Sequence, residues 1–326
     1  MEILNSIFYG MIFVSVMGSV FCLLSLLAGH ILGWTLPLWF SLCGMAFFVF
    51  PFLSPDVFFI SPEKEEWFRG FYTACRIWIG GCGVLFVGHS LRTLLARRAL
   101  KDCRMCDSNR VKAACFQVGA RMGLKKMPGL YWGTLDQPIC VAGAVGPVIL
   151  MNEEIVEKLT DTELSAVFFH ELTHIQRRHI LLERIYDCVC ILNWPNPFVW
   201  IARREFSLHC ETDCDARALK VSGGQLTQTQ YASAVLRLLE LSGTGTIRPG
   251  RGTGALSFLL TKRRIKRILT TPSKIKTGIV TAVLALCLVL ILIFSMGFSR
   301  QHFYPYPAYN VGNEYAAGTQ SDCRSM

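Results

Sequence analysis

Two histidines and a glutamate carry the clearest chemistry in this sequence. His170, Glu171 and His174 form an HExxH motif within the stretch Glu163–His179. Residues four apart lie on one face of a helix, so both imidazoles can bind a single metal ion. Neutral imidazole suits zinc, and Glu171 lies where it can take a proton from a water molecule at the metal. The motif therefore predicts hydrolytic zinc chemistry.

The residues before the motif predict a helix that holds it. Thr160 and Asp161 are favourable N-terminal caps, and Glu163 follows Thr160 at the spacing of a capping box. Neither Pro nor Gly interrupts the stretch through Arg178. We therefore expect the motif in the middle of a helix, where the spacing of its histidines is meaningful.

A second predicted helix, within residues 203–217, supplies candidates for a third zinc ligand. Catalytic zinc usually has three protein ligands and leaves its fourth position open. Glu211 and Asp215 are four residues apart and share a helix face, whereas His209 and Asp213 should point elsewhere. One carboxylate can bind the metal while the other accepts a hydrogen bond from the free N–H of a histidine.

Several segments together resemble the BlaR/MecR type of membrane antirepressor zinc peptidase. They are HELTHIQRRH, LNWPNPFVW, RRE and ETDCDARAL, together with the segment from Pro138 to Leu150. The resemblance extends over about residues 1–298. By position it implies the zinc ligands His170, His174 and Glu211, the general base Glu171, and Asp215 as the hydrogen-bond partner of a ligand.

Two positions depart from the family pattern. His179 stands where such proteins often carry Asp, and Met151–Asn152 stands where Leu-Pro is common. Neither position belongs to the implied ligand set, and the five-residue offset of His179 from His174 argues against a ligand role for His179.

The resemblance also implies a substrate, which is a dimeric DNA-binding repressor in the cytoplasm. It suggests self-cleavage in the cytoplasmic loop, and Ser257–Phe258 follows a Gly-rich linker that could reach an active site. Known members carry a penicillin-binding sensor domain after the last span. Residues 299–326 are too few for one, so we expect a separate sensor protein or a homo-oligomer as a further partner.

The composition predicts an integral membrane protein, because 52% of the residues are hydrophobic and only 17% are charged. A helical span needs about 20 mostly apolar residues. The predicted spans are 7–28, 32–53, 71–95 and 278–298. An apolar stretch at 188–202 contains Pro195 and Pro197, so we interpret it as a membrane-contacting turn and not a fifth span.

Basic residues flank the long loop between the third and fourth spans, so this loop should be cytoplasmic. The expected architecture is an α-helical integral membrane protein of about four spans with a cytoplasmic α+β zincin-like metallopeptidase domain. Its parts are three transmembrane helices in 1–96, the peptidase domain in 97–277, the fourth helix in 278–298 and an outer tail in 299–326. The net charge of +10 then reflects contact with the lipid bilayer of a bacterial plasma membrane, and direct nucleic-acid binding is not expected.

Two short strands are predicted at 139–141 and 148–150 around a Gly-rich turn. The second is our candidate for an exposed edge strand that holds an extended substrate by main-chain pairing, with a plain core hairpin as the alternative.

Two other functions are consistent with the same residues. One is a quality-control membrane protease of the HtpX type, which shares HExxH and a downstream ExxxD. The other is a non-catalytic membrane signalling or scaffold protein with a relict zinc fold. The presence of Glu171 argues against the scaffold, because a structural zinc site does not need a base.

Overall fold

The computed structural model describes residues 65–99, 103–133 and 138–241, with short helical pieces within 15–48 and 264–269 and at 282 and 286. The predicted outer tail, the self-cleavage residues Ser257 and Phe258, and most of the predicted fourth span lie outside the described residues.

A long helix, α1 (Glu65–Ala99), covers the predicted third span. Its part Thr73–Arg98 is 26 residues long and, among the residues that the structure describes, is the one helix long and apolar enough to cross a membrane. Arg97 and Arg98 lie in its last turn. The third predicted span is thus matched by a helix of the required length.

A small sheet follows α1 in the chain. Its strands are β1 (Arg104–Met105), β2 (Gly129–Trp132), β3 (Ile139–Ala142) and β4 (Val148–Met151). The spatial order is β1-β2-β4-β3, in which β4 pairs parallel with β2 and antiparallel with β3. The two strands predicted from the sequence exist, but the choice of β4 as the exposed edge is wrong. The parallel pairing with β2 covers its second side, and β3 is the edge instead.

Six helices complete the described part of the domain. They are α2 (Asn109–Arg121), α3 (Glu153–Val156), α4 (Asp161–Gln176), α5 (His179–Leu192), α6 (Pro197–Val221) and α7 (Gln228–Leu241). Helix α4 is central, because it packs against α2, α6, α7 and β3. Its residues Leu164, Phe168 and Leu172 are fully buried in the main hydrophobic core.

The ends of α4 follow from its sequence. Thr160 caps it in the predicted capping box with Glu163. The helix ends two residues earlier than predicted, because Arg178 has a left-handed backbone conformation with φ of 54°. This break turns the chain sharply, and α5 begins at the next residue, His179.

Helices α5 and α6 form a hairpin whose turn packs on α1. The indole of Trp78 in α1 donates to the carbonyl of Leu192 (2.8 Å), and the indole of Trp194 donates to the carbonyl of Trp78 (3.1 Å). Asn196 caps α6, and Pro197 occupies its first turn. The predicted turn in 188–202 is therefore present, and it contacts the helix that matches the third span.

Candidate metal centre

Three side chains of α4 and α6 converge at one point. His170 Nε2 lies 3.2 Å from His174 Nε2 and 3.4 Å from Glu211 Oε2, and His174 Nε2 lies 3.6 Å from Glu211 Oε1. The donors of a tetrahedral zinc with bonds of about 2.0–2.1 Å are about 3.3 Å apart. Two imidazoles and a carboxylate at these separations therefore fit a zinc ion.

The second ring nitrogen of His170, Nδ1, has hydrogen-bond partners within the protein. Nδ1 lies 3.1 Å from Asp215 Oδ1 and 3.0 Å from the hydroxyl oxygen of Tyr231, which itself donates to Asp215 Oδ1 (2.9 Å). With Nε2 directed at the metal position, Nδ1–H donates to this carboxylate and hydroxyl. Such a partner fixes the tautomer and ring orientation of a metal-binding histidine.

Arg264 joins the two carboxylates of α6. Its guanidinium donates to Asp215 Oδ2 (3.0 Å) and Oδ1 (2.8 Å), and its Nη1 lies 2.9 Å from Glu211 Oε2. The neighbouring Ile265 and Ile268 pack in the main core, so Arg264 is carried on an anchored segment. In the sequence Arg264 counted only as a basic residue flanking the fourth span, whereas the structure directs it into the site.

The environment shifts the pKa values of the acidic groups in opposite directions. Burial raises the pKa of Glu171 to about 7, and the charge of Glu211 adds to that rise. Burial would also raise the pKa values of Glu211 and Asp215, but Arg264 and His170 lower both, that of Asp215 to about 2. Glu211 and Asp215 are therefore ionised at neutral pH, and Glu171 exchanges its proton near neutrality.

The two histidines of the motif also differ. Burial lowers the pKa of His174 to about 3, so this imidazole is neutral. Burial would lower the pKa of His170 as well, but Asp215 and Glu211 raise it to about 10. A metal ion competes with the added proton, since only an unprotonated nitrogen can bind it.

A cysteine offers an alternative third donor. The ligand atoms of His170, His174 and Cys214 all lie within 4.8 Å of one another. The Cys214 thiol, however, contacts His179 Nδ1 (3.3 Å), and burial raises its pKa far above the usual range. Zinc binds the thiolate, whereas Glu211 is ionised and faces the Nε2 atoms of both histidines, so the geometry favours Glu211.

The edge strand β3 passes close to the site. The backbone of Val141 hydrogen-bonds Glu171, and β3 packs against α4. Among the described residues β3 pairs on one side only, so the free side of this edge strand is next to the expected general base.

The structure brings together all five site residues expected from the motif and the resemblance. As predicted, two residues of α6 do not share the face of Glu211 and Asp215: His209 bonds Ser41, and Asp213 pairs with Arg177. Sequence reasoning missed Tyr231 and Arg264. Spacing gives no signal for Tyr231, but Arg264 and Ile268 are four apart, which could have indicated a helix face turned inward.

Comparison with known proteins adds a family and several relatives. The model of the family described as BlaR1 peptidase M56 matches residues 60–268. The methicillin resistance mecR1 protein of Staphylococcus aureus is 29% identical over 107 residues, which are 33% of this chain and 18% of that protein. The regulatory protein BlaR1 of Bacillus licheniformis is 22% identical over 202 residues, 62% of this chain and 33% of that protein. The matched region is thus a third or less of the length of these relatives.

Proposed function

The chain belongs to the BlaR1 peptidase M56 family, and on that premise we propose that it is a membrane-bound zinc endopeptidase of the antirepressor type. The observation that carries the proposal is the convergence of His170 Nε2, His174 Nε2 and the Glu211 carboxylate within 3.2–3.6 Å of one another. These three residues hold the zinc ion, and Asp215 orients His170.

The chain's own residues then have distinct tasks. A bound zinc ion supplies Lewis-acid polarisation of a peptide carbonyl and makes water more acidic. Glu171 takes a proton from the attacking water and passes it to the leaving amine. Burial keeps the pKa of Glu171 above that of an exposed glutamate, and a base whose pKa lies nearer the working pH accepts and releases protons more readily.

The substrate chain binds in an extended form along β3. This strand is at the edge of the sheet and lies beside Glu171, so a peptide paired with it presents its backbone to the base. Main-chain pairing gives affinity without demanding a particular sequence, and side chains on alternate positions then select the substrate.

The proposed substrate is a transcriptional repressor, and the proposed location of the active site is the cytoplasmic face of a plasma membrane crossed four times. The names of the relatives, a methicillin resistance protein and a regulatory protein, support a regulatory substrate. The basic flanks of the loop that contains the site support the orientation. Self-cleavage at Ser257–Phe258, a further proposal from the family resemblance, would cut this loop.

Substitution of the base tests the proposal directly. Glu171→Gln and wild type are each co-expressed in membranes with a repressor encoded beside the gene, and zinc content is assayed in both. Glu157→Gln, a change of an exposed glutamate after α3, is the control. We expect Glu171→Gln to keep its zinc and to lose about 10²- to 10⁴-fold in cleavage rate, while the control cleaves normally.

Equal cleavage by Glu171→Gln and wild type would contradict the peptidase function. Cleavage of unfolded membrane proteins at the same rate as the repressor would instead favour the quality-control function.

A further inference from the structure

A metal-binding histidine normally donates its second ring N–H to an acceptor, and His174 needs one at Nδ1 because its Nε2 faces His170 and Glu211. Asp215 fills this role for His170. For His174 the neighbouring side chain is not a carboxylate but another imidazole, that of His179, whose Nδ1 lies 3.3 Å from His174 Nδ1.

His179 is buried beside this site. It is the first residue of α5, directly after the left-handed Arg178, and its side chain is 1% exposed. The rings of His174 and His179 meet edge to face, with centroids 5.2 Å apart and planes at 83°. The sharp turn between α4 and α5 therefore places the second imidazole behind the first.

The contacts around His179 determine where its proton lies. Two donors approach its Nδ1, which are His174 Nδ1–H and the Cys214 thiol, also at 3.3 Å. Nδ1 must accept, so the ring carries its proton on Nε2. That Nε2 atom is buried and has no hydrogen-bond partner among the described residues, but it lies 3.6 Å from Asp213 Oδ2.

Asp213 is in turn fixed by Arg177, whose Nε and Nη2 donate to its two carboxylate oxygens at 3.0 and 3.3 Å. A negative charge opposite Nε2–H makes Nδ1 of the same ring a stronger acceptor, as in other carboxylate–imidazole pairs. The order of contacts is His174, His179, Asp213, Arg177. Asp213 does not share the helix face of Glu211, yet it is connected to the metal position through His179 and His174.

We propose that His179 and Asp213 are positioning residues that together replace a single carboxylate, fixing the tautomer and ring orientation of His174 for the metal. This inference rests on the proposed zinc site.

The test compares three replacements of similar size at His179. His179→Leu removes the acceptor, His179→Asn keeps an uncharged acceptor near the place of Nδ1, and His179→Asp supplies a charged one. Zinc affinity of the full-length protein in detergent is measured by competition with a chelator. We expect affinity to fall about 10- to 100-fold in His179→Leu, to fall less in His179→Asn, and to match wild type in His179→Asp.

A second substitution tests the role of Asp213. Asp213→Asn should weaken zinc binding in the wild-type background. It should have no effect on zinc binding in the His179→Asp background, because there the carboxylate at position 179 accepts directly from His174 and no ring at 179 needs Asp213. Asp187→Asn is the matched control, because Asp187 is bound by Arg203 (2.8 Å) in the same hairpin without contact to the motif histidines. It should leave zinc affinity unchanged.

Wild-type affinity in His179→Leu, or loss of affinity in His179→Asp equal to that in His179→Asn, would overturn the proposal. If His179→Leu fails to fold, the comparison of Asn with Asp and the effect of Asp213→Asn in the two backgrounds decide it. A wild-type protein that binds no zinc would instead refute the proposed function, so the two failures are distinguishable.

Discussion

Four charged side chains around the candidate metal position nearly balance a divalent ion. Glu171, Glu211 and Asp215 contribute carboxylates, and Arg264 contributes one guanidinium. Fully ionised, they leave two negative charges, which a zinc ion neutralises. Arg264 also pairs with Glu211 and Asp215 directly, so it keeps the site assembled before the metal binds.

Removal of Arg264 should therefore destabilise the metal-free protein. Arg264→Met removes the guanidinium that pairs with Asp215 and Glu211, and loss of one partner of a buried pair typically costs about 3–5 kcal/mol. The measurement is thermal or denaturant unfolding in detergent with a chelator present. Arg237→Met, which breaks an exposed pair with Glu240, should change the free energy of unfolding by no more than about 1 kcal/mol. Equal stability of the two variants would show that Arg264 does not support the site.

Local spacing and the family resemblance together identified five of the site residues. His170, Glu171 and His174 follow from HExxH. The four-residue offset of Glu211 and Asp215 put both on one helix face, and the resemblance assigned Glu211 to the metal and Asp215 to a histidine. Tyr231 and Arg264 come from segments that reach the site only through tertiary packing. The spacing of Arg264 and Ile268 indicates an inward helix face at most, and it does not give the site that this face meets.

Among the elements, the close packing of α1 against the α5–α6 turn depends on one glycine. A Cβ atom added at Gly81 would lie 2.4 Å from Cε2 of the Trp194 indole, whereas one added at Gly80 would meet nothing within 4 Å. The absence of a side chain at Gly81 allows the indole of Trp194 to reach the carbonyl of Trp78.

We expect Gly81→Ala to separate the hairpin from α1 and to lower the unfolding temperature of the protein in detergent. Overpacking of this kind typically costs about 1–3 kcal/mol. Gly80→Ala is the matched control and should leave the unfolding temperature unchanged or slightly raised, since alanine favours helix over glycine. Similar melting curves for both variants would refute the close contact.

Only some of the described elements were predicted. Capping residues and the absence of breakers predicted α4 to within two residues of its C-terminal end, and short apolar runs around a Gly-rich turn predicted β3 and β4. The order of the sheet escaped prediction because β4 pairs with β2, a strand whose partner is fixed by long-range packing.

In the whole molecule, packing on α1 determines how far the α5–α6 turn lies from the basic end of that helix. Twenty residues separate Trp78 from Arg98, so the contact with Trp194 lies about 30 Å along the helix from its basic end. The α5–α6 turn is thus packed on the part of α1 that is remote from its basic end.

The orientation can be tested with a protease site inserted between Lys125 and Lys126. Both side chains are exposed and lie in a connection between α2 and β2. We expect cleavage in inside-out membrane vesicles and protection in intact spheroplasts, because the proposed orientation, which rests on the basic flanks, puts this domain in the cytoplasm. Cleavage in spheroplasts but not in inverted vesicles would reverse the topology.

The central claim is that His170, His174 and Glu211 bind zinc, and X-ray absorption at the zinc edge of the purified, zinc-loaded protein tests it most directly. Only nitrogen and oxygen neighbours at about 2.0–2.2 Å are predicted, unchanged in Cys214→Ser and altered or lost in Glu211→Ala. A sulfur neighbour at about 2.3 Å that disappears in Cys214→Ser would contradict the assignment and make Cys214 the third ligand.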